Sequence, residues 1–411
     1  MKRQILYTAF FCILAAYTNL YANASGPLVD TAAKATLVVP KGFTATIVAE
    51  GYAGARHIAV TKQGGIYIKL SRLKDGKGIW YLKDTNGDGV IDIEKGFGNY
   101  GGTGMFIKND YLYASSNDDV FRYKLDAKGE VINPDQPERI ITGLVNRNRD
   151  NAKSIAVDDN SNIYVNVGSY NNACIIDEKS KQAPTPCPLL DSVGGIWVFK
   201  TNKLNQTMSV ASRYASGYKN SVAIDWNDNT KSLFIIQHGR DGLDAYPDHF
   251  TKEQNTLLPS EAMFEVHKGS NGGWPYAYYD HLQKKAILAP EYGGDGKKAA
   301  TVKAQTPTVS FPAHLAPNGL LFHSGKSFPA KYKNGAFVAF HGNSAELKKG
   351  FMVAFVPFQG NRPAGKWEVF ADNFASPNNP HRPCGLAEAP DGSVYITDDT
   401  KGTIYRISYR K

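Results

Sequence analysis

Residues able to hold or attack a polar ligand recur directly in front of apolar runs: Arg56 and His57, Thr103, Asp150 and Lys153, Lys219 and Asn220, His314, and Arg382. Arg56, Lys153, Lys219 and Arg382 carry fixed positive charge. Gathered at one opening, they attract an anion with several carboxylates or phosphates, because charge-assisted hydrogen bonds strengthen between low-dielectric walls. One of the runs leads into Gln237-His238-Gly239-Arg240-Asp241, where His238 is a base, a ligand or a hydrogen-bonded loop residue. Asp84, Asn86, Asp88 and Asp92, with Gly87 and Gly89 between them, follow the opening positions of a calcium loop, but Lys95 stands where its bidentate Glu belongs. The same residues also make an ordinary turn. HExxH, paired-Cys zinc spacing, G-x-S-x-G, a Walker loop and a Rossmann fingerprint are absent from the sequence, which removes the sequence support for zinc hydrolysis, serine-esterase chemistry and nicotinamide dependence.

A repeat is what would bring such residues together. Six times the chain gives a small or charged residue, an apolar run of alternating pattern, a Gly/Asp/Asn turn, and a second apolar run rich in Tyr, Ile and Val. The copies begin at Arg56, Thr103, Lys153, Lys219, Asn318 and Arg382. Each predicts an antiparallel hairpin whose turn tolerates positive φ, as at Gly64-Gly65, Asn109-Asp110 and Asp391-Gly392. The stretches between copies leave room for two more strands each, and amphipathic helical stretches are scarce and short. The expectation is an all-β, six-bladed β-propeller occupying 25–411 as one domain, closed by pairing the last strand, 402–410, with the first, 45–51. The residues that lead the copies then ring one mouth of the central channel. The stretch 241–312, with Gly273-Trp274-Pro275-Tyr276, is expected to form extended loops over one face.

The 411 residues are 42% hydrophobic and 21% charged, with 39 Gly and 21 Pro, which excludes disorder, collagen and coiled coil as overall descriptions. The formal charge of +9 includes no run of five or six basic residues, so nucleic-acid binding is not expected. Lys2 and Arg3, an apolar stretch over 5–17, and Ala22-Asn23-Ala24 form an export signal cleaved after Ala24. The mature protein is therefore expected in the periplasm of a Gram-negative host or outside the cell, with no membrane span, since no later stretch offers 18 apolar residues in a row. Cys174 and Cys187 can close a short Pro-rich loop as a disulfide, which leaves Cys384 as a buried thiol.

Several phrases taken together resemble the glucose/sorbosone dehydrogenase family: GYKN at 217–220, QHGRDGL at 237–243, GSNGGWPYAYYD at 269–280, FPAHLAPNGLLF at 311–322, and HRPCGL followed by APDGSVYITDD over 381–399. The likeness runs over about 38–409. It implies an exported six-bladed propeller that uses pyrroloquinoline quinone (PQQ) and calcium to oxidise aldoses and related sugars or aldehydes. Carried over by motif, Lys219 and Asn220 match an Arg-Asn pair on the quinone, Arg382 a carboxylate-binding Arg, and Lys153 a basic residue beside the quinone. Gly239 and Arg240 match the pair whose backbone carbonyls ligate calcium.

The departures from the family pattern concern catalysis. The family's base is a His a few residues before the Lys153 position, where this chain reads Asn148-Arg149-Asp150-Asn151-Ala152. Asp150 or His314 is left as the proton acceptor, and a carboxylate of ordinary pKa, about 3.9, is a weak one unless burial raises it. After His341-Gly342, a family Trp-Asn-Arg becomes Asn343-Ser344-Ala345-Glu346, and Lys219 replaces a bidentate guanidinium with a point charge. Three readings follow: a PQQ-dependent sugar dehydrogenase with altered catalytic residues, a propeller of the same lineage that binds a carbohydrate or protein partner without turnover, and a lactonase-type hydrolase in which a channel calcium activates water.

Overall fold

The computed structural model describes residues 32–175, 183–325, 327–376 and 379–410; the expected leader, 1–24, lies outside them. Each copy of the repeat forms a hairpin. The innermost strands are Ala55–Val60, Met105–Lys108, Ile155–Val157, Ala223–Asn227, Pro317–His323 and Pro383–Glu388, and each pairs antiparallel with the strand that follows it. Further strands extend each hairpin into a sheet of at least four strands, and these six sheets are the blades. The inner strands pack side by side in chain order, and Pro383–Glu388 packs back against Ala55–Val60. Phe43–Ala49 pairs antiparallel with Ile404–Tyr409, Phe43 opposite Tyr409 and Ala45 opposite Ile407, so the first and last strands share a blade and the ring keeps no open seam.

The propeller has no single central core. Six apolar clusters fill the six wedges between neighbouring blades: Ile58 and Ile68 meet Tyr395 and Ile404, Tyr67 and Ile79 meet Leu112 and Tyr123, and Val120 and Ile140 meet Val165 and Trp197. The remaining wedges repeat the pattern. Both faces of a middle strand are therefore buried, which is why the second runs read as continuous Ile, Val, Tyr and Phe. The axis is left free. Near it the inner strands approach closely enough to exclude a side chain: a Cβ on Gly319 would collide with the Cys384 carbonyl, and one on Gly385 with the Arg56 carbonyl.

One expectation needs correction. The 241–312 stretch is not all loop, because Glu261–Val266 and Val309–Phe311 are the outer strands of the fourth blade. Only the parts around them are insertions: a short helix, Lys252–Leu257, started by a Thr251/Gln254 capping box, and a hairpin of Ala277–Asp280 with Lys285–Leu288. The Asp84 loop is a turn closed on itself. Asp84 accepts from the amides of Asn86, Gly87 and Gly89, Asn86 from Asp88, and Asp92 from Thr85, so its oxygens satisfy backbone donors. Cys174 and Cys187 form the expected disulfide. Cys384 is a free buried thiol, pushed up to about 12 by burial.

Candidate active site at the channel mouth

The starts of the inner strands of blades 3 and 4 assemble one side of the mouth. Lys219 Nζ lies 2.8 Å from Asp150 Oδ2, with side chains only 4% and 18% exposed. Asn220 Nδ2 donates to Asp150 Oδ1 at 3.4 Å. Asn166 joins the two blades: its Nδ2 donates to the Ala152 carbonyl and to Asn220 Oδ1, and its Oδ1 accepts from the Ser221 amide. Lys153 turns back on its own loop and donates to the carbonyl and side-chain oxygens of Asn151. Burial pushes its ammonium down to about 8. Asp150 takes a left-handed conformation, φ 48°, a backbone cost that tight local structure has to repay.

Next to Lys219 runs the Gln237–Arg240 turn. The His238 Nε2 is 2.9 Å from the Pro317 carbonyl and donates to it, since a carbonyl only accepts. Burial pushes this imidazole down to about 4, and the charges of Lys219 and Arg56 act in the same direction. His238 thus feels both sides of the mouth. Glu261 braces the turn by accepting from the amides of Gly239 and Ala316; burial pushes its carboxyl up to about 7. The Arg240 guanidinium is locked to Glu291 at 2.5 Å, side chains 6% and 0% exposed. Among the described residues, the Gly239 and Arg240 carbonyls accept no backbone hydrogen bond, which leaves two hard oxygen donors of the kind calcium takes. No cluster of three His, Cys, Asp or Glu able to hold a metal occurs among the described residues.

Blades 5, 6 and 1 supply the other side. Arg56 Nη1 is 2.8 Å from Asp399 Oδ2, and His341 Nε2 is 2.8 Å from Asp399 Oδ1. Burial pushes the Asp399 carboxyl up, but His341 and Arg56 outweigh it and hold it below the ordinary carboxylate range. The sequence reading named Arg56 without a partner and missed Asp399 and His341 as site residues; the Asp398-Asp399 doublet closing a repeat hairpin was the available signal. Arg382 is exposed on this side. Its guanidinium lies 5.3 Å from the Phe351 ring centroid and has no carboxylate partner among the described residues. His314 points elsewhere: its Nε2 donates to the Asn255 carbonyl of the inserted helix, and its Nδ1 is 3.7 Å from Asp241.

The structure thus unites Asp150, Lys153, Lys219 and Asn220 beside Gly239 and Arg240, sets Arg382 on the opposite rim, and leaves His314 with the insertion. The space enclosed against Lys219, Gly239 and Arg240 is only about 10 Å³, so a ligand of any size would rest on this wall rather than enter it. A cavity of about 330 Å³ occupies the other end of the channel, lined from all six inner strands by residues such as Ile58, Met105, Ile155, Asp225, Leu320 and Leu386. None of the four cations lines it.

A family described as TrAA12-like matches residues 37–410. The chain belongs to this family. A Trichoderma reesei protein of Carbohydrate-Active Enzymes Family AA12 superimposes with a TM-score of 0.72 at 16% identity, covering 94% of this chain and 100% of that one. The holo form of the pyranose dehydrogenase PQQ domain from Coprinopsis cinerea gives 0.72 at 18% identity, covering 92% and 99%. The PQQ-bound aldose sugar dehydrogenase from Streptomyces coelicolor gives 0.56 at 14% identity, covering 91% and 100%. At these identities the solved structures establish the fold, a six-bladed propeller shared with PQQ-dependent sugar dehydrogenases, in line with the resemblance carried by the motifs. An uncharacterized protein of Borreliella burgdorferi is 25% identical over the full length of both chains.

The donor set of the TrAA12-like mouth suits a polycarboxylate beside a hard cation. Among the described residues Arg382 is a cation without an anionic partner, Lys219 and Asn220 present N–H donors, and the Gly239 and Arg240 carbonyls accept no backbone hydrogen bond. The part that departs from that fit is Asp150, which already satisfies Lys219.

Proposed function

We propose that this protein is an exported PQQ-dependent dehydrogenase that oxidises a sugar hydroxyl or a related aldehyde, with calcium at the Gly239–Arg240 carbonyls. The observation that carries the reading is the convergence of Lys219, Asn220 and the two bare carbonyls at one mouth, in a chain of the TrAA12-like family. PQQ, when bound, supplies a two-electron acceptor for the substrate hydride. The chain's own residues hold and orient: Arg382, Lys219 and Lys153 would meet carboxylates, Asn220 would donate to a ring oxygen, and Glu261 keeps the calcium-facing turn in place. Because Lys219 is a point charge paired with Asp150, Arg382 bears most of the anion recognition. The expected export signal at 1–24 supports a location in the periplasm of a Gram-negative host or outside the cell. No helix among the described residues is long and apolar enough to cross a membrane.

Titration calorimetry with PQQ in the presence and absence of calcium tests the reading, followed by a dye-reduction screen of aldoses. Binding that strengthens with calcium, and dye reduction that needs both, are expected. No heat at saturating PQQ removes the dehydrogenase. The Asp150–Lys219 ion pair favours a second reading, a propeller that binds a carbohydrate or protein partner without turnover. PQQ-independent binding of an aldose, with no dye reduction, supports that alternative.

A further inference from the structure

We propose that His341 is the proton acceptor of this mouth, standing in for the His missing ahead of Lys153, with Asp399 and Arg56 as positioning residues; this rests on the dehydrogenase reading above. Three blades build the arrangement. His341 ends the regular pairing of the second strand of blade 5, and its amide and that of Gly342 bond to the carbonyls of Ala316 and Leu315, just before that blade's inner strand. Asp399 follows the second strand of blade 6, its amide bonded to the Arg382 carbonyl. Arg56 lies in the inner strand of blade 1. All three side chains keep partial exposure, 19% for His341, 14% for Asp399 and 16% for Arg56, so the group faces the mouth rather than a wedge core.

The bonding fixes which nitrogen can act. A carboxylate only accepts, and Asp399 already takes Arg56 on its other oxygen, so the His341 Nε2 carries the hydrogen. That leaves Nδ1 with a lone pair and no partner among the described residues. A carboxylate that orients one ring nitrogen while the other receives a proton is the arrangement that general-base imidazoles use. Other candidates are occupied. Asp150 is paired with Lys219, His314 is drawn to the Asn255 carbonyl of the inserted helix, and His238 is held on the Pro317 carbonyl. His381 is buried against Asp398 and the Tyr405 hydroxyl, and His281 belongs to the inserted hairpin with Glu346.

In the oxidation, the substrate O–H proton passes to Nδ1 of His341 as the C–H bond breaks and its electron pair leaves as hydride for the quinone oxidant; the carbon–oxygen double bond forms, and the imidazolium returns its proton to water. Asp399, ionised throughout, stabilises that imidazolium.

Long-range proton–nitrogen spectra of ¹⁵N-histidine-labelled wild type without cofactor, recorded above about pH 8 where an ordinary imidazole is neutral, should show His341 as the Nε2–H tautomer. A proton on Nδ1 overturns the proposal without any activity measurement. With PQQ, calcium and the aldose that wild type oxidises fastest, His341→Gln should lower kcat by roughly 100-fold or more and leave PQQ affinity within about twofold. Asp399→Asn should lose the tautomer preference and lower kcat with it. Wild-type turnover matched by His341→Gln removes this assignment alone, whereas wild type that binds no PQQ or reduces no dye removes the dehydrogenase reading and this proposal together.

Discussion

Glu291→Gln tests how the Gly239–Arg240 turn, the proposed calcium site, is held. Arg240 and Glu291 form the most buried ion pair in the described structure, 2.5 Å apart with side chains 6% and 0% exposed. The Tyr246 hydroxyl also bonds to Glu291; burial, that carboxylate's charge and the bond itself raise its pKa above the ordinary phenol value. The substitution keeps shape and removes charge, so the Arg240 guanidinium stays buried without an anion, at a cost of about 3–5 kcal/mol. A chain of this length unfolds with an entropy near 0.8 kcal/mol/K on a per-residue scale of about 2.1 cal/mol/K, so Tm should fall by about 4–6 °C. Scanning calorimetry reads this directly. Replacing both partners, Arg240→Met with Glu291→Leu, should recover most of the loss, because the desolvation cost vanishes with the charges. Glu291→Gln should also weaken calcium binding by calorimetry, although Glu291 is not a ligand, since the Arg240 carbonyl is positioned by the side chain it anchors. A Tm change under about 1 °C would refute the burial argument, and unchanged calcium affinity would separate the turn from the ion.

Three further outcomes follow from the geometry. The Asp225 carboxyl, held at the channel by the Trp226 and Phe322 amides, is pushed up to about 7 by burial. The native state therefore keeps a proton that the unfolded chain gives up above pH ~4, and stability from this group is lost as pH rises from about 4 to 7; Asp225→Asn should gain on wild type across that window by up to roughly 4 kcal/mol in urea titrations, and a pH-independent difference would contradict it. Arg382→Ala removes an exposed cation whose only described contact is the Phe351 ring, so PQQ affinity should fall by roughly 10- to 100-fold, the value of a charge-assisted bond, with Tm unchanged; calorimetry showing full affinity would mean that the anion site lies elsewhere. Cys187→Ser opens the 13-residue link to Cys174 and should cost about 2–4 kcal/mol in chemical denaturation under oxidising conditions, whereas no loss would show the bridge to be dispensable.

The blade count and the ring are legible in the chain's own repeat. The apolar runs, the φ-tolerant turns and the room between copies are local patterns, and each hairpin forms from neighbours in the chain, so their sixfold recurrence reads directly as six sheets. The same repeat puts Lys153, Lys219 and Asn220 at one mouth, because equal places in equivalent strands fall at one end of the axis. Which charges neutralise which is set only where separate blades pack together. Asp150 meets Lys219 across 69 positions, and Asp399 meets Arg56 across 343 and His341 across 58; no pattern within a repeat encodes such pairings, which depend on where separate blades meet. The same holds for His314, whose sequence place put it among the mouth residues while a helix inserted elsewhere in the chain drew its ring away. Periodicity fixes the positions of side chains along an axis, and packing between blades fixes their partners.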